Sequence, residues 1–144
     1  IDGVLVTNDC MQRSGVGQHA EPDPLCIKVL NEIIGKTGAK IVLTSSWRIL
    51  GMEFVSDKLR EWSVRGEVIG ETPRISKHQE YYVSIGRAFE IQEWLDKNAG
   101  QVSRFVVLDD GEDFGHLRTY QIKTDLDNGL LQTHIEKALE LLKD

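Results

Sequence analysis

The apolar positions of the chain form segments of two kinds, and one kind has the spacing of an amphipathic helix. Residues 25–34 repeat apolar side chains every three or four positions, between Pro24 near the start and Gly38 past the end. Similar stretches predict further helices over residues 52–66, 84–100 and 130–144. The apolar face of the helix over 84–100 is predicted to consist of Ile85, Phe89, Ile91, Trp94 and Leu95.

The other apolar segments are short and continuous, which predicts buried strands. They are "IDGVLV" (a strand remnant), "AKIVLTSSW", "EVIGETP", "SRFVVLDDGEDFG" and "YQIKTD", whereas the polar residues 7–23 predict a long loop. Because strands and helices alternate, the pattern indicates an α/β fold. The strongest strands lack alternation, which is typical of a parallel sheet covered by helices on both faces. We therefore expect one α/β/α domain over residues 1–144.

Polar side chains of distinct chemistry follow the predicted strands, where α/β proteins bind ligands. They are Asp2 in the opening segment, Thr44, Ser45 and Ser46 after the second strand, and Asp109 and Asp110 after the fourth. Carboxylate oxygens suit Mg²⁺, and a threonine hydroxyl followed by free amides suits a phosphate group. Arg87, near the start of a helix, can bind phosphate in a bidentate way. Together these residues predict a magnesium and phosphate site.

Each of these features also has an ordinary structural interpretation. Asp2-Gly3 is typical of a turn, and "TSS" before a helix is typical of an N-cap cluster. "LDDGED" is typical of a solvated loop, and Arg87 can pair with Glu90 or Glu93 on its own helix. We favour the site because all four features occur together, each at a strand end or a helix start.

Composition narrows the possible functions. The formal net charge of −6 argues against bulk binding of nucleic acid, although not against a small phosphorylated ligand. The two cysteines, Cys10 and Cys26, form no metal-binding motif, so we expect no zinc site. The chain contains no apolar run of membrane-spanning length, and its cysteine usage suggests a cytoplasmic protein without membrane association.

The four motifs resemble those of the haloacid dehalogenase (HAD) superfamily of phosphohydrolases. "IDGV" matches the end of its Asp-x-Asp-Gly motif, "KIVLTSSWR" its second motif and "FVVLDDGED" its acidic motif. Arg87 matches the family's cation, with Arg74 and Lys77 as less favoured candidates. The combination "VLTSSWR", "RAFEIQEWL", "VVLDD" and "TDLDNGL" is similar to compact HAD domains linked to Swiss Army Knife RNA repair proteins.

The resemblance implies a three-layer, Rossmann-like α/β/α domain with little or no cap, and a Mg²⁺-dependent phosphatase acting through an aspartyl-phosphate. Asp2 would be the acid–base and a metal ligand, together with Asp109 and Asp110. Phosphate would be held by Thr44, Ser45, Ser46, Arg87 and Lys77. An open site suits a phosphorylated macromolecule or a nucleic-acid end, which Lys77, His78, Tyr81 and Tyr82 can contact by charge and stacking. The favoured interpretation of these four residues is nevertheless a polar surface loop with half-buried tyrosines.

One departure leaves alternatives open. The family's nucleophilic Asp would stand one place before Ile1, and most of the first strand would precede it. We expect a parent protein that carries this strand, because losing a central strand would expose a large apolar area. The alternatives are a catalytically silent binding or regulatory domain and, less favoured, a receiver-like phosphoacceptor domain in which Lys123 would be the required lysine.

Overall fold

Helices and strands alternate along the chain in this computed structural model, which describes residues 1–75 and 86–143. The α-helices are α1 (Asn8–Ser14), α2 (Pro24–Thr37), α3 (Met52–Glu61), α4 (Arg87–Lys97) and α5 (Ile135–Leu142). The strands are β1 (Ile41–Leu43), β2 (Val68–Glu71), β3 (Val107–Asp109) and β4 (Gln121–Lys123). Short 3₁₀ helices cover Gly17–His19, Ser46–Leu50, Gly115–Tyr120 and Gln132–His134. No helix in these ranges is long and apolar enough to cross a membrane.

The strands pair in parallel, which confirms the predicted α/β class. Strand β1 pairs with β2, and β3 pairs with β4, so that Asp109 lies opposite Lys123. Among the described residues these are two separate two-stranded sheets rather than the single sheet predicted from sequence. A cleft of about 520 Å³, lined by every residue of β1 and β3, runs between the two pairs.

Helix α2 confirms the clearest prediction from periodicity. The Asp23 side chain accepts a hydrogen bond from the Leu25 amide at 2.9 Å, and Pro24 occupies the first turn. Gly38 ends the helix in the left-handed conformation, with φ of 69°. The buried face packs against α5 and consists of Cys26, Ile27, Val29, Leu30 and Ile33.

The opening segment is a compact turn instead of the predicted strand remnant. The amides of Val4, Leu5 and Val6 all donate to the carbonyl of Ile1, and Gly3 reverses the chain with φ of 75°. A single bridge joins Asp2 and Val6. Val4, Leu5 and Val6 are buried in the core. A buried turn needs the same run of apolar residues as a buried strand, so the sequence pattern did not distinguish the two.

The prediction of a loop over residues 7–23 was wrong for the first half of this segment, which forms helix α1. The Thr7 hydroxyl caps this helix by accepting from the Cys10 amide at 3.4 Å. Cys10 is the one buried residue of α1, so the helix has no apolar stripe that periodicity could detect.

The predicted apolar face of α4 was wrong at one position. Phe89 is 60% exposed, whereas its neighbour Glu90 is buried together with Ile91. Trp94 and Leu95 are half-buried along the cleft, and Ile85 lies outside the described residues. The side chain of Glu90 points inward because it pairs with a buried arginine, a tertiary contact that helical periodicity does not report.

Replacing Gly129 with Ala is expected to lower the free energy of unfolding by about 1–3 kcal/mol. Gly129 has φ of 65°, and an added Cβ would lie 2.8 Å from both the Cys26 sulfur and the Val4 carbonyl oxygen. Urea unfolding measures the loss. The control is Gly35→Ala in α2, where a Cβ meets nothing within 4 Å. Equal stability of the two variants would contradict this account of the turn.

Candidate functional site

The candidate site lies where β1 and β3 end. Thr44 directly follows β1, and Asp109 is the last residue of β3. The opening turn borders the same cleft through Ile1, and the indole nitrogen of Trp47 donates to Asp2 Oδ1 at 3.2 Å. On the other side, a Cβ added to Gly3 would lie 2.3 Å from Asp110 Oδ2. The fold therefore brings the Asp-x-Asp-Gly motif, the second motif and the acidic motif to one end of the cleft.

Asp109 is the most firmly held carboxylate of the site. Arg87 donates to its Oδ2 at 2.6 Å, and the Gly111 amide donates to its Oδ1 at 2.8 Å. Asp109 is 6% exposed, so the guanidinium supplies the charge balance that burial demands. The expected alternative, in which Arg87 pairs along its own helix, is not seen, since Glu90 pairs with Arg48 and Glu93 with Lys97.

The hydroxyl residues after β1 take different positions. Thr44 is half-buried, and its Oγ1 lies 3.0 Å from the hydroxyl of Thr72. The Ser45 hydroxyl accepts from the Trp47 amide at 3.2 Å and so caps the 3₁₀ helix, which agrees with the N-cap interpretation. Ser46 is exposed. Thr44 and Ser45 line the cleft, whereas Ser46 does not.

The structure does not test the predicted roles of several candidate residues. Lys77, His78, Tyr81 and Tyr82 lie outside the described residues, so their predicted roles stay predictions. Arg74 is described and exposed. Lys123, on which the receiver-like alternative depends, forms an ion pair with Glu112.

Sequence reasoning missed the roles of Trp47 and Arg48. Trp47 packs edge-on against Trp62, with ring centroids 5.6 Å apart, as expected of a core residue, but it also donates to Asp2. Arg48 is 4% exposed and pairs with Glu90 at 3.3 Å. In the sequence, the one indication of these roles was position, because both residues follow a strand end within "TSSWR".

Ile1 borders the same end of the cleft. It lines the cleft together with Thr44, Ser45 and Asp109. Asp2 follows it directly, and a Cβ added to the next residue, Gly3, would meet the Asp110 side chain. A group joined to the nitrogen of Ile1 would therefore lie close to the residues that follow β1 and β3.

The cleft continues from this end between the two sheets. Each of β1 and β3 has one strand partner among the described residues, so each presents one edge without a neighbouring strand. The walls are largely apolar and include Val42, Leu43, Val106, Val107 and Leu108. Thr44, which follows β1, and Asp109, which ends β3, line the cleft together with Ile1. The cleft is therefore bounded by two strands, each of which has an edge that can pair with a further strand.

The donor chemistry of the site fits a hard cation, although the described residues do not form a complete cage. Asp2, Asp109 and Asp110 supply carboxylate oxygens, the donors that Mg²⁺ prefers. Among residues 1–75 and 86–143 no three His, Cys, Asp or Glu side chains lie close enough to hold a metal together. Mg²⁺ usually takes one or two carboxylates with water and substrate oxygens, so this donor set suits it.

Comparison with family models gave a match. A family model described as the HAD domain in Swiss Army Knife RNA repair proteins matches residues 1–135. Searches of curated proteins and of solved structures gave no match. The family match spans the opening turn, both sheets and all the candidate residues described above. The chain belongs to the family of HAD domains found in Swiss Army Knife RNA repair proteins.

Proposed function

We propose that the chain is the larger part of a Mg²⁺-dependent phosphohydrolase that acts through an aspartyl-phosphate, with its nucleophilic Asp immediately before Ile1. The observation that carries the proposal is that Ile1 lines one cleft with Thr44 and with Asp109, which Arg87 holds at 2.6 Å. A residue attached there would place its carboxylate beside the groups that bind and activate a phosphoryl group.

The cleft supports the same proposal because its shape and chemistry suit one strand. A strand leading into Ile1 would run parallel to β1 and β3 and could hydrogen-bond to both edges, joining the two sheets into one. Buried backbone N–H and C=O groups need partners, and the apolar walls favour apolar side chains on such a strand. Its last residue would lie at the edge where Thr44 and Asp109 stand.

The reaction has two steps. A carboxylate oxygen of the nucleophile attacks phosphorus, the bond to the leaving oxygen breaks, and Asp2 gives that oxygen a proton. Asp2 then takes a proton from water, whose oxygen attacks the acyl phosphate, releasing phosphate and restoring the nucleophile. Because Trp47 donates to Oδ1 of Asp2, the other carboxyl oxygen remains for the proton.

Binding of the phosphoryl group falls to Thr44, the backbone amides of Ser45 and Ser46, and Arg87. These donors balance the charge of the equatorial oxygens. The Asp2 carbonyl, Asp109 and Asp110 would hold Mg²⁺, which when bound neutralises phosphoryl charge.

The proposed substrate is a phosphorylated nucleic-acid end. The family occurs in RNA repair proteins, and repair of a strand requires chemistry at phosphorylated termini. The net charge of −6 disfavours binding along a polynucleotide, so recognition would be confined to the terminal phosphate and adjacent bases. Lys77, Tyr81 and Tyr82 remain candidates for that contact by charge and stacking.

The test uses a protein that includes the residues encoded before Ile1. Hydrolysis of p-nitrophenyl phosphate is expected to require Mg²⁺, to stop with EDTA and to collapse when the preceding Asp becomes Asn. A phosphorylated oligoribonucleotide should release phosphate faster than a phosphopeptide; the reverse order would overturn the substrate assignment. A residue other than Asp before Ile1, or no hydrolysis at saturating Mg²⁺, would favour the silent binding domain.

A further inference from the structure

A buried arginine is linked to Thr44 through a second threonine. Arg48 Nη1 donates to Thr72 Oγ1 at 2.7 Å, and Thr72 Oγ1 donates to Thr44 Oγ1 at 3.0 Å. We infer that Arg48 and Thr72 are positioning residues that fix the Thr44 hydroxyl as a hydrogen-bond donor toward the phosphoryl group. This inference rests on the proposed phosphohydrolase site.

The direction of these hydrogen bonds follows from the chemistry of the guanidinium group, which has donors and no acceptor. The Thr72 oxygen must therefore accept from Arg48. Thr72 is 3% exposed, so its own hydrogen needs an acceptor within the protein, and Thr44 Oγ1 lies at bonding distance. Reversing the second bond would leave the Thr72 hydrogen buried without an acceptor, which costs free energy.

This direction determines what Thr44 can offer a ligand. One lone pair of its oxygen is used by Thr72, so its hydrogen is directed away from Thr72. The side chain borders the cleft and is half-buried, where a hydrogen bond to a charged acceptor is strong. A phosphoryl oxygen, which only accepts, matches this donor.

Several hydrogen bonds hold the Arg48 guanidinium in place, and so fix the direction of its hydrogen bond to the Thr72 hydroxyl. Its Nε donates to the Ser45 carbonyl at 2.9 Å, and Nη1 also donates to the carbonyls of Thr72 and Pro73 at 2.8 and 3.0 Å. Its Nη2 pairs with Glu90 at 3.3 Å. The guanidinium therefore keeps four oxygen partners if the Thr72 hydroxyl is removed, and Thr72→Val is a variant that should fold.

The test compares Thr72→Val with Thr72→Ser, in the protein that includes the residues before Ile1. The valine variant is expected to bind inorganic phosphate about 10- to 100-fold more weakly by calorimetry and to lose kcat/KM by a similar factor. The serine variant, which restores the hydroxyl, should recover most of both. Thr37→Val is the matched control, since within residues 1–75 and 86–143 the Thr37 hydroxyl bonds to Ile33 and Ala39 at the end of α2 and not to Thr44.

The outcomes separate this inference from the proposed function. The inference alone is overturned if the unaltered protein hydrolyses the ester but Thr72→Val binds phosphate as tightly as the unaltered protein. It is also overturned if Thr37→Val weakens phosphate binding as much as Thr72→Val does. Phosphate binding without hydrolysis overturns the proposed function. In that case the phosphate affinities of Thr72→Val and Thr72→Ser still test the inference. A protein that neither binds phosphate nor hydrolyses the ester overturns both.

Discussion

Asp2→Asn is expected to lower turnover of an alkyl phosphate by about 10²- to 10⁴-fold, the range found when a general acid–base is removed. Asparagine keeps the size of the side chain and an oxygen that can accept from Trp47, so the turn should keep its shape. It cannot give a proton to the leaving oxygen or take one from water. The measurement is steady-state hydrolysis by the protein that includes the residues before Ile1.

The choice of leaving group makes this prediction specific. A p-nitrophenolate ion leaves without a proton, whereas an alkoxide needs protonation. Asp2→Asn should therefore slow the first step less for a p-nitrophenyl ester than for an alkyl ester. Asp9→Asn is the control, because Asp9 is an exposed carboxylate in the first turn of α1. If Asp2→Asn and Asp9→Asn retain equal activity, Asp2 is not the acid–base.

Glu90→Ala is expected to lower the free energy of unfolding by about 3–5 kcal/mol, the usual cost of removing one partner of a buried ion pair. The side chains of Arg48 and Glu90 are 2% and 1% exposed, so the buried arginine would lose the carboxylate that balances its charge. Glu90 Oε2 also accepts from the Ile75 amide at 2.8 Å, and that donor would lose this acceptor too. Urea unfolding measures the change.

A surface pair on the same helix provides the control for this prediction. Glu93 pairs with Lys97, and their side chains are 41% and 67% exposed. Solvent screens such a pair, so Glu93→Ala should cost no more than about 1 kcal/mol. A loss for Glu90→Ala that falls within 1 kcal/mol of the loss for Glu93→Ala would show that the buried pair does not hold α4 to the residues after β1.

The sequence was sufficient for features that depend on neighbouring residues. Helix α2 could be predicted because its cap at Asp23, its apolar spacing and its terminal Gly38 are all local. Strands β1 and β3 could be predicted as apolar runs, and the family could be identified because its motifs are short and lie at strand ends. Helix α1 was missed because a polar helix with one buried residue carries no periodic signal.

The interior and the grouping of charges depended on tertiary structure. No local pattern shows that Glu90 would be buried while Phe89 stays exposed, since that choice follows from Arg48, 42 positions away in the sequence. The hydrogen bond from Trp47 to Asp2 and the ion pair from Arg87 to Asp109 likewise join separate elements.

By itself, the sequence determined the α/β class and the family, and it supplied the residues of the predicted phosphate site, because those features reside in local composition and in the order of motifs. Only the tertiary structure decided that a cleft lined by β1 and β3 reaches Ile1, and that a buried arginine is linked to Thr44 through Thr72. Strand neighbours and hydrogen-bond directions depend on which distant groups burial brings together, and spacing along the chain does not specify them.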